Sequence, residues 1–165
     1  MDLRNILRDI DWKKLIAAIV ICQLAGVVGS VFTLPSIPVW YASLNKPGFA
    51  PPGSVIGAVW ITLFTLMGIA LYLIWMRGIR KENVRNAVTA FGVQLTLNAA
   101  WSFLFFGLRS PFYGLIGIAA LWIVIAYTML RFWKVSKTAT YLFVPYIAWV
   151  TFAGYLNFLI WQMNL

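Results

Sequence analysis

The sequence predicts an all-α integral membrane protein, a five-transmembrane-helix bundle. Composition carries the first part of that statement. Of the 165 residues, 62% are hydrophobic and 10% charged, and mean hydropathy is +0.86, whereas a soluble domain averages about 25% charged residues. So few charges cannot cover a water-facing surface. The length of the apolar runs carries the second part. Each is close to the roughly 20 residues that a helix needs to cross hydrocarbon, and none resembles the roughly 9–11-residue alternating segments of an outer-membrane barrel. Charge placement is the third observation. The net charge of +9 comes from 13 Lys and Arg that sit almost wholly between apolar runs, where they mark topology and not a groove for phosphates. No nucleic-acid partner is expected.

Residues 1–14, "MDLRNILRDIDWKK", put Leu3, Ile6, Leu7 and Ile10 on one helical face. They suit either a short helix at the bilayer interface, anchored by Trp12, Lys13 and Lys14, or a frayed polar tail. They do not have the pattern of a signal peptide. Span one runs from about Leu15 to Leu34 and is expected to end at Pro35 and Pro38. A loop over residues 35–54 follows. Span two runs from about Val55 to Met76, with Ser54 as its cap. Span three covers about Ala87 to Gly107. Span four begins with Pro111 at the first-turn position after Ser110 and reaches about Phe132. Span five runs from about Thr140 to Met163. The whole chain, 1–165, then forms a single transmembrane domain.

Eleven of the basic residues fall on one side of this bundle: Arg4, Arg8, Lys13, Lys14, Arg77, Arg80, Lys81, Arg85, Arg131, Lys134 and Lys137. Only Lys46 and Arg109 fall on the other. The positive-inside rule therefore puts the N-terminus in the cytoplasm and the C-terminus outside. The interiors of the spans are chemically sparse. No Asp, Glu, Lys or Arg lies in mid-span, and the chain has no histidine and one cysteine, Cys22. Ion-coupled pumping, metal binding and conventional nucleophile–base catalysis all lack the groups they need. No metal and no cofactor is expected.

Neutral polar and aromatic side chains remain, and their spacing is informative. Gln94, Asn98, Trp101 and Phe105 share one face of span three. Tyr146, Trp149, Ala153 and Asn157 share a register in span five, as do Trp60, Phe64, Met67 and Leu71 in span two. Buried amides in hydrocarbon must find partners. Two readings stay open: interhelical glue, worth about 0.6 kcal/mol per bond, or the wall of an aromatic cavity. Ala18, Cys22, Gly26 and Ser30, with Ala25 and Gly29 beside them, read as a close-packing seam within the bundle or between protomers. In the loop, Pro47, Pro51 and Pro52 stiffen the chain and remove donors, while Gly48 and Gly53 permit tight turns. Trp40, Tyr41 and Phe49 can fold onto the helix ends, either as a lid over a cavity mouth or as plain surface cover.

"WYASLNKPGFAPP" (Trp40 to Pro52) resembles the signature of the translocator protein family, also called tryptophan-rich sensory proteins or peripheral benzodiazepine receptors. The resemblance continues in "GAVW" (Gly57 to Trp60), "QLTLNAAWSFLFFG" (Gln94 to Gly107) and "PYIAWVTFAGYLN" (Pro145 to Asn157). It implies a five-helix bundle, generally a homodimer, whose pocket is closed by the loop after the first helix. It also implies binding of tetrapyrroles such as protoporphyrin IX and related flat hydrophobic ligands. On this resemblance Tyr41, Pro47 and Pro51 match the lid, and Asn98 and Trp101 the third-helix wall. Ala153 matches a ligand-facing position of the fifth helix. Trp60 and Trp149 match the tryptophans linked to porphyrin handling and to a light-dependent porphyrin degradation, the only candidate catalysis. Phe64 joins this ligand-binding set through its register with Trp60. The alternative functions are that photo-oxidative degradation and passive small-solute transport. The cholesterol motif of the animal proteins is degraded here, with Phe158 in place of its Tyr and Gln162 in place of its basic residue.

Overall fold

The computed structural model describes residues 10–165. The expected surface helix over residues 1–14 thus falls largely outside the described residues, while Trp12, Lys13 and Lys14 form the first turn of the first membrane helix. Among the described residues five helices are long and apolar enough to cross a membrane, so the chain is a multi-pass integral membrane protein, and these residues form no strand.

Helix α1 spans Trp12–Ser36. Asp11 caps it by accepting from the Lys14 amide at 3.1 Å and pairing with Lys14 Nζ at 2.9 Å; the hydrogen bond from Lys14 holds the Asp11 carboxyl below its usual range. The helix does not stop at Leu34. It passes through Pro35 and widens into a π-helical turn over Ile37–Tyr41. A proline forfeits its N–H and crowds the carbonyl one turn back. The wider turn follows with Pro38 in its first positions, and the Ala42 N–H reaches back five residues to the Ile37 carbonyl. Tertiary contacts hold this extension in place. Ser36 Oγ donates to the Phe106 carbonyl at 3.0 Å, and Trp40 and Tyr41 pack edge-on or tilted against Phe105 and Phe106. The expected loop over residues 35–54 is correspondingly shorter.

Helix α2 spans Gly53–Trp75, and its cap position is Pro52, with no side-chain cap bond. Ser54 therefore lies inside the first turn and does not cap it. Helix α3 spans Glu82–Ser102, starting five residues before the expected Ala87, and also ends in a π-helical turn, Phe103–Gly107. Helix α4 spans Pro111–Trp133, with Ser110 accepting from the Tyr113 amide. The last span is broken: a short α5, Lys137–Tyr141, precedes α6, Val144–Met163. Pro145 in the first turn of α6 explains the break, because it has no N–H to offer a continuous helix.

Helix α1 packs on α2 and α3, α3 on α4, and α4 on α6. The ring closes through α5 against α2, while α2 and α6 stand apart except where Trp60 meets the Tyr146 ring edge-on at 6.3 Å. The end nearer the basic loops is solid. Phe91, Phe132 and Phe143 pack there with ring centroids 5.1–6.1 Å apart, over a core containing Met67, Ile74 and Leu121. The small-residue seam of α1 faces inward. Ala18 and Cys22 are fully buried, and a Cβ on Gly68 would stand 2.6 Å from the Ile19 Cα, so α1 and α2 touch backbone to backbone.

Candidate functional site

At the opposite end the bundle is hollow. A cavity of about 540 Å³ lies beneath the α1–α2 loop, within the roughly 300–1,000 Å³ range of small-molecule sites. Four helices form its wall and α4 stands behind them. Helix α2 contributes Trp60, Ile61 and Phe64; α3 contributes Asn98, Trp101, Ser102 and Phe105; α6 contributes Trp149, Phe152, Ala153, Asn157 and Ile160. Helix α1 contributes Gln23, Gly26, Ser30, Thr33, Ile37 and Tyr41, and the loop contributes Pro51.

Of the residues expected at a site, Tyr41, Pro51, Trp60, Phe64, Asn98, Trp101, Trp149 and Ala153 come together around this one space. Pro47 does not. Its carbonyl accepts from the Ala50 amide at 2.9 Å, closing a turn in the loop away from the cavity wall. The α1 wall is what sequence reasoning missed. Gln23, Gly26, Ser30, Thr33 and Ile37 alternate three and four residues apart, the spacing of one helical face. That signal was present, but it reads equally well as a packing seam. Phe152 and Ile160 were also missed, because apolar side chains on a membrane helix carry no mark of which way they face.

The amides divide between the two roles. Gln94 is fully buried below the cavity. It accepts from the Tyr146 hydroxyl at 3.0 Å through Oε1 and reaches Met67 sulfur at 3.8 Å through Nε2, so it is interhelical glue. Asn98 does both jobs: Nδ2 donates to the Tyr146 hydroxyl at 2.9 Å while the residue lines the cavity. Asn157 donates to the Pro111 carbonyl at 2.7 Å, and its Oδ1 is buried without a partner. The Trp149 indole Nε1 is likewise buried and unpartnered. Trp101 is anchored by a 3.0 Å bond from Nε1 to the Gly114 carbonyl and stacks on Phe105 at 5.3 Å.

The loop is stitched down. Asn45 N–H donates to Asn164 Oδ1 at 2.9 Å, Asn164 Nδ2 returns a bond to the Asn45 carbonyl at 2.9 Å, and Phe49 stacks on Tyr155. Lys46 Nζ donates to the carbonyls of Tyr41, Leu44 and Ala42 and lies 4.8 Å from the Tyr41 ring centroid. Those bonds use all three of its donors at the carbonyl-rich end of α1, which leaves none for a ligand carboxylate. Among the described residues no Lys, Arg, Asp or Glu lines the cavity. Among the described residues no group of three His, Cys, Asp or Glu is placed to hold a metal ion.

The fold and this space define a multi-pass membrane protein built around an uncharged, tryptophan-walled cavity under a rigid loop. The chain belongs to the TspO/MBR family, whose family model matches residues 18–162. It is 46% identical to the tryptophan-rich protein TspO of Chlorobaculum tepidum over 144 residues, covering 87% of this chain and 91% of that protein. It is 42% identical to the TspO of Archaeoglobus fulgidus, covering 92% and 97%. It is 37% identical to the translocator protein of Bos taurus, covering 93% and 91%.

Proposed function

We propose that the protein is a membrane receptor or carrier that takes protoporphyrin IX and related flat hydrophobic ligands into the cavity. The observation that carries this reading is the aromatic slot of Trp60, Phe64, Trp101, Phe105 and Trp149 with no charged side chain in its lining. Aromatic faces stack on a planar macrocycle, and a few convergent polar groups orient it. Asn98, held by its Nδ2 bond to the Tyr146 hydroxyl, turns its remaining polar atom to the cavity as the orienting acceptor. Because Lys46 is committed to the chain's own carbonyls, the acid groups of a porphyrin would stay at the mouth, in reach of water. Tyr41 and Pro51 act as the lid, Ala153 as the gap that admits the ring edge; Pro47 serves only to shape the loop.

The test is a protoporphyrin IX titration followed by tryptophan quenching, on wild type and on Trp60→Phe/Trp149→Phe. Weaker binding by the double variant supports the assignment, and equal affinity removes it. The reading includes an N-terminus in the cytoplasm, on the eleven-to-two distribution of basic residues, and a homodimer, which the mass in detergent would check. A second reading, photo-oxidative porphyrin degradation with dioxygen as oxidant, is favoured by Trp60 and Trp149 sharing one cavity. It requires a new absorbing product under illumination that both Trp→Phe changes suppress.

A further inference from the structure

A second recess lies outside the cavity. A groove of about 550 Å³ runs along the outer surface between α2 and α6, flanked by the small side chains of Ala58, Thr62 and Ala148. Trp149 and Phe152 line both this groove and the cavity. The wall between the two spaces is therefore one layer of side chains, in the seam where α2 and α6 meet through Trp60 and Tyr146 and not along their length. Nothing pins that layer by hydrogen bonding, since the Trp149 Nε1 has no partner. The loop side is the opposite case, tied to the end of α6 by the reciprocal Asn45–Asn164 bonds.

We infer that the α2–α6 groove is a second binding site, a lipid-facing vestibule where a flat hydrophobic ligand docks from the bilayer before passing Trp149 and Phe152 into the cavity. The inference rests on the cavity being a ligand site, as proposed above. A planar apolar ligand partitions into the hydrocarbon, so its highest concentration lies beside this groove. Entry there displaces two side chains, whereas entry under the loop breaks a set of polar bonds. The groove's shallow flanks leave room for a ring system to lie flat against Trp149.

The test uses Thr62→Cys/Ala148→Cys, which places one thiol on each flank and touches no residue of the cavity wall; Cys22 is fully buried and does not compete. The full chain in phosphatidylcholine vesicles is mixed with vesicles carrying protoporphyrin IX, and association is followed by tryptophan quenching. Bridging the two thiols with a short cross-linker should slow association about tenfold, the sort of loss expected when the conformational step admitting a ligand is blocked. Equilibrium affinity should stay that of the unbridged variant. Asn164→Ala, which removes the two Asn45–Asn164 bonds, should leave the wild-type rate within about twofold. An unchanged rate after bridging, or an acceleration by Asn164→Ala that bridging does not reverse, would overturn the vestibule. Absence of saturable binding by the unbridged protein would instead overturn the ligand site itself.

Discussion

Tyr146→Phe isolates the buried polar relay beneath the cavity. The ring is fully buried, and Phe keeps its volume, so no hole is made. What is lost is one oxygen that accepts from Asn98 Nδ2 at 2.9 Å and donates to Gln94 Oε1 at 3.0 Å. Interhelical bonds of this kind in membranes average about 0.6 kcal/mol, so losing the two costs on the order of 1.2 kcal/mol. Gln94 Oε1 then has no donor in an apolar interior, and a stranded buried acceptor costs about 1–3 kcal/mol. The expected destabilisation is thus about 1–3 kcal/mol, read by reversible unfolding in mixed detergent micelles. Adding Gln94→Leu removes the stranded acceptor, so the double variant should be more stable than the two single effects predict. A Tyr146→Phe protein within about 0.3 kcal/mol of wild type, or strict additivity in the cycle, would refute the relay.

Gly68→Ala drives a methyl against the Ile19 backbone at 2.6 Å and should cost about 1–3 kcal/mol; an unchanged melting temperature would mean the α1–α2 contact is soft. Gly114→Ala meets Phe105 at 2.5 Å and Asn157 Oδ1 at 2.8 Å, so it should both destabilise the fold and weaken porphyrin binding by shifting the wall. Cys22 has no exposed surface and should resist a maleimide until the protein is unfolded in denaturing detergent; rapid native labelling would contradict its place in the core. Asn164→Ala removes the loop's side-chain stitch to Asn45, and the Asn45 amide should then exchange with deuterium measurably faster, whereas equal protection would assign the loop's rigidity to its prolines.

Much of the site was legible because the chemistry of a membrane interior is restrictive. Asn98, Trp101, Trp60 and Trp149 stood out as polar or aromatic residues in register on otherwise aliphatic helices, and they do share one cavity. Gln94 carried the same signal and proved to be glue, since periodicity reports a common face but not its depth along the bundle. Pro35 and Pro38 misled for a related reason. Proline disfavours a regular helix, yet the contacts of Ser36, Trp40 and Tyr41 with Phe105 and Phe106 hold a widened turn through it.

The sequence by itself determined that this chain crosses a membrane five times, roughly where each crossing lies, and that no charge serves its interior. Those follow from the cost of placing backbone and charge in hydrocarbon, which acts residue by residue. The tertiary structure alone decided which aliphatic side chains face the cavity, that Lys46 is spent on the end of α1, and that side chains alone close the α2–α6 seam. Each of these depends on which helix neighbours which. In a bilayer, lipid and protein interior are equally apolar, so the pattern along one helix does not say which of them it meets.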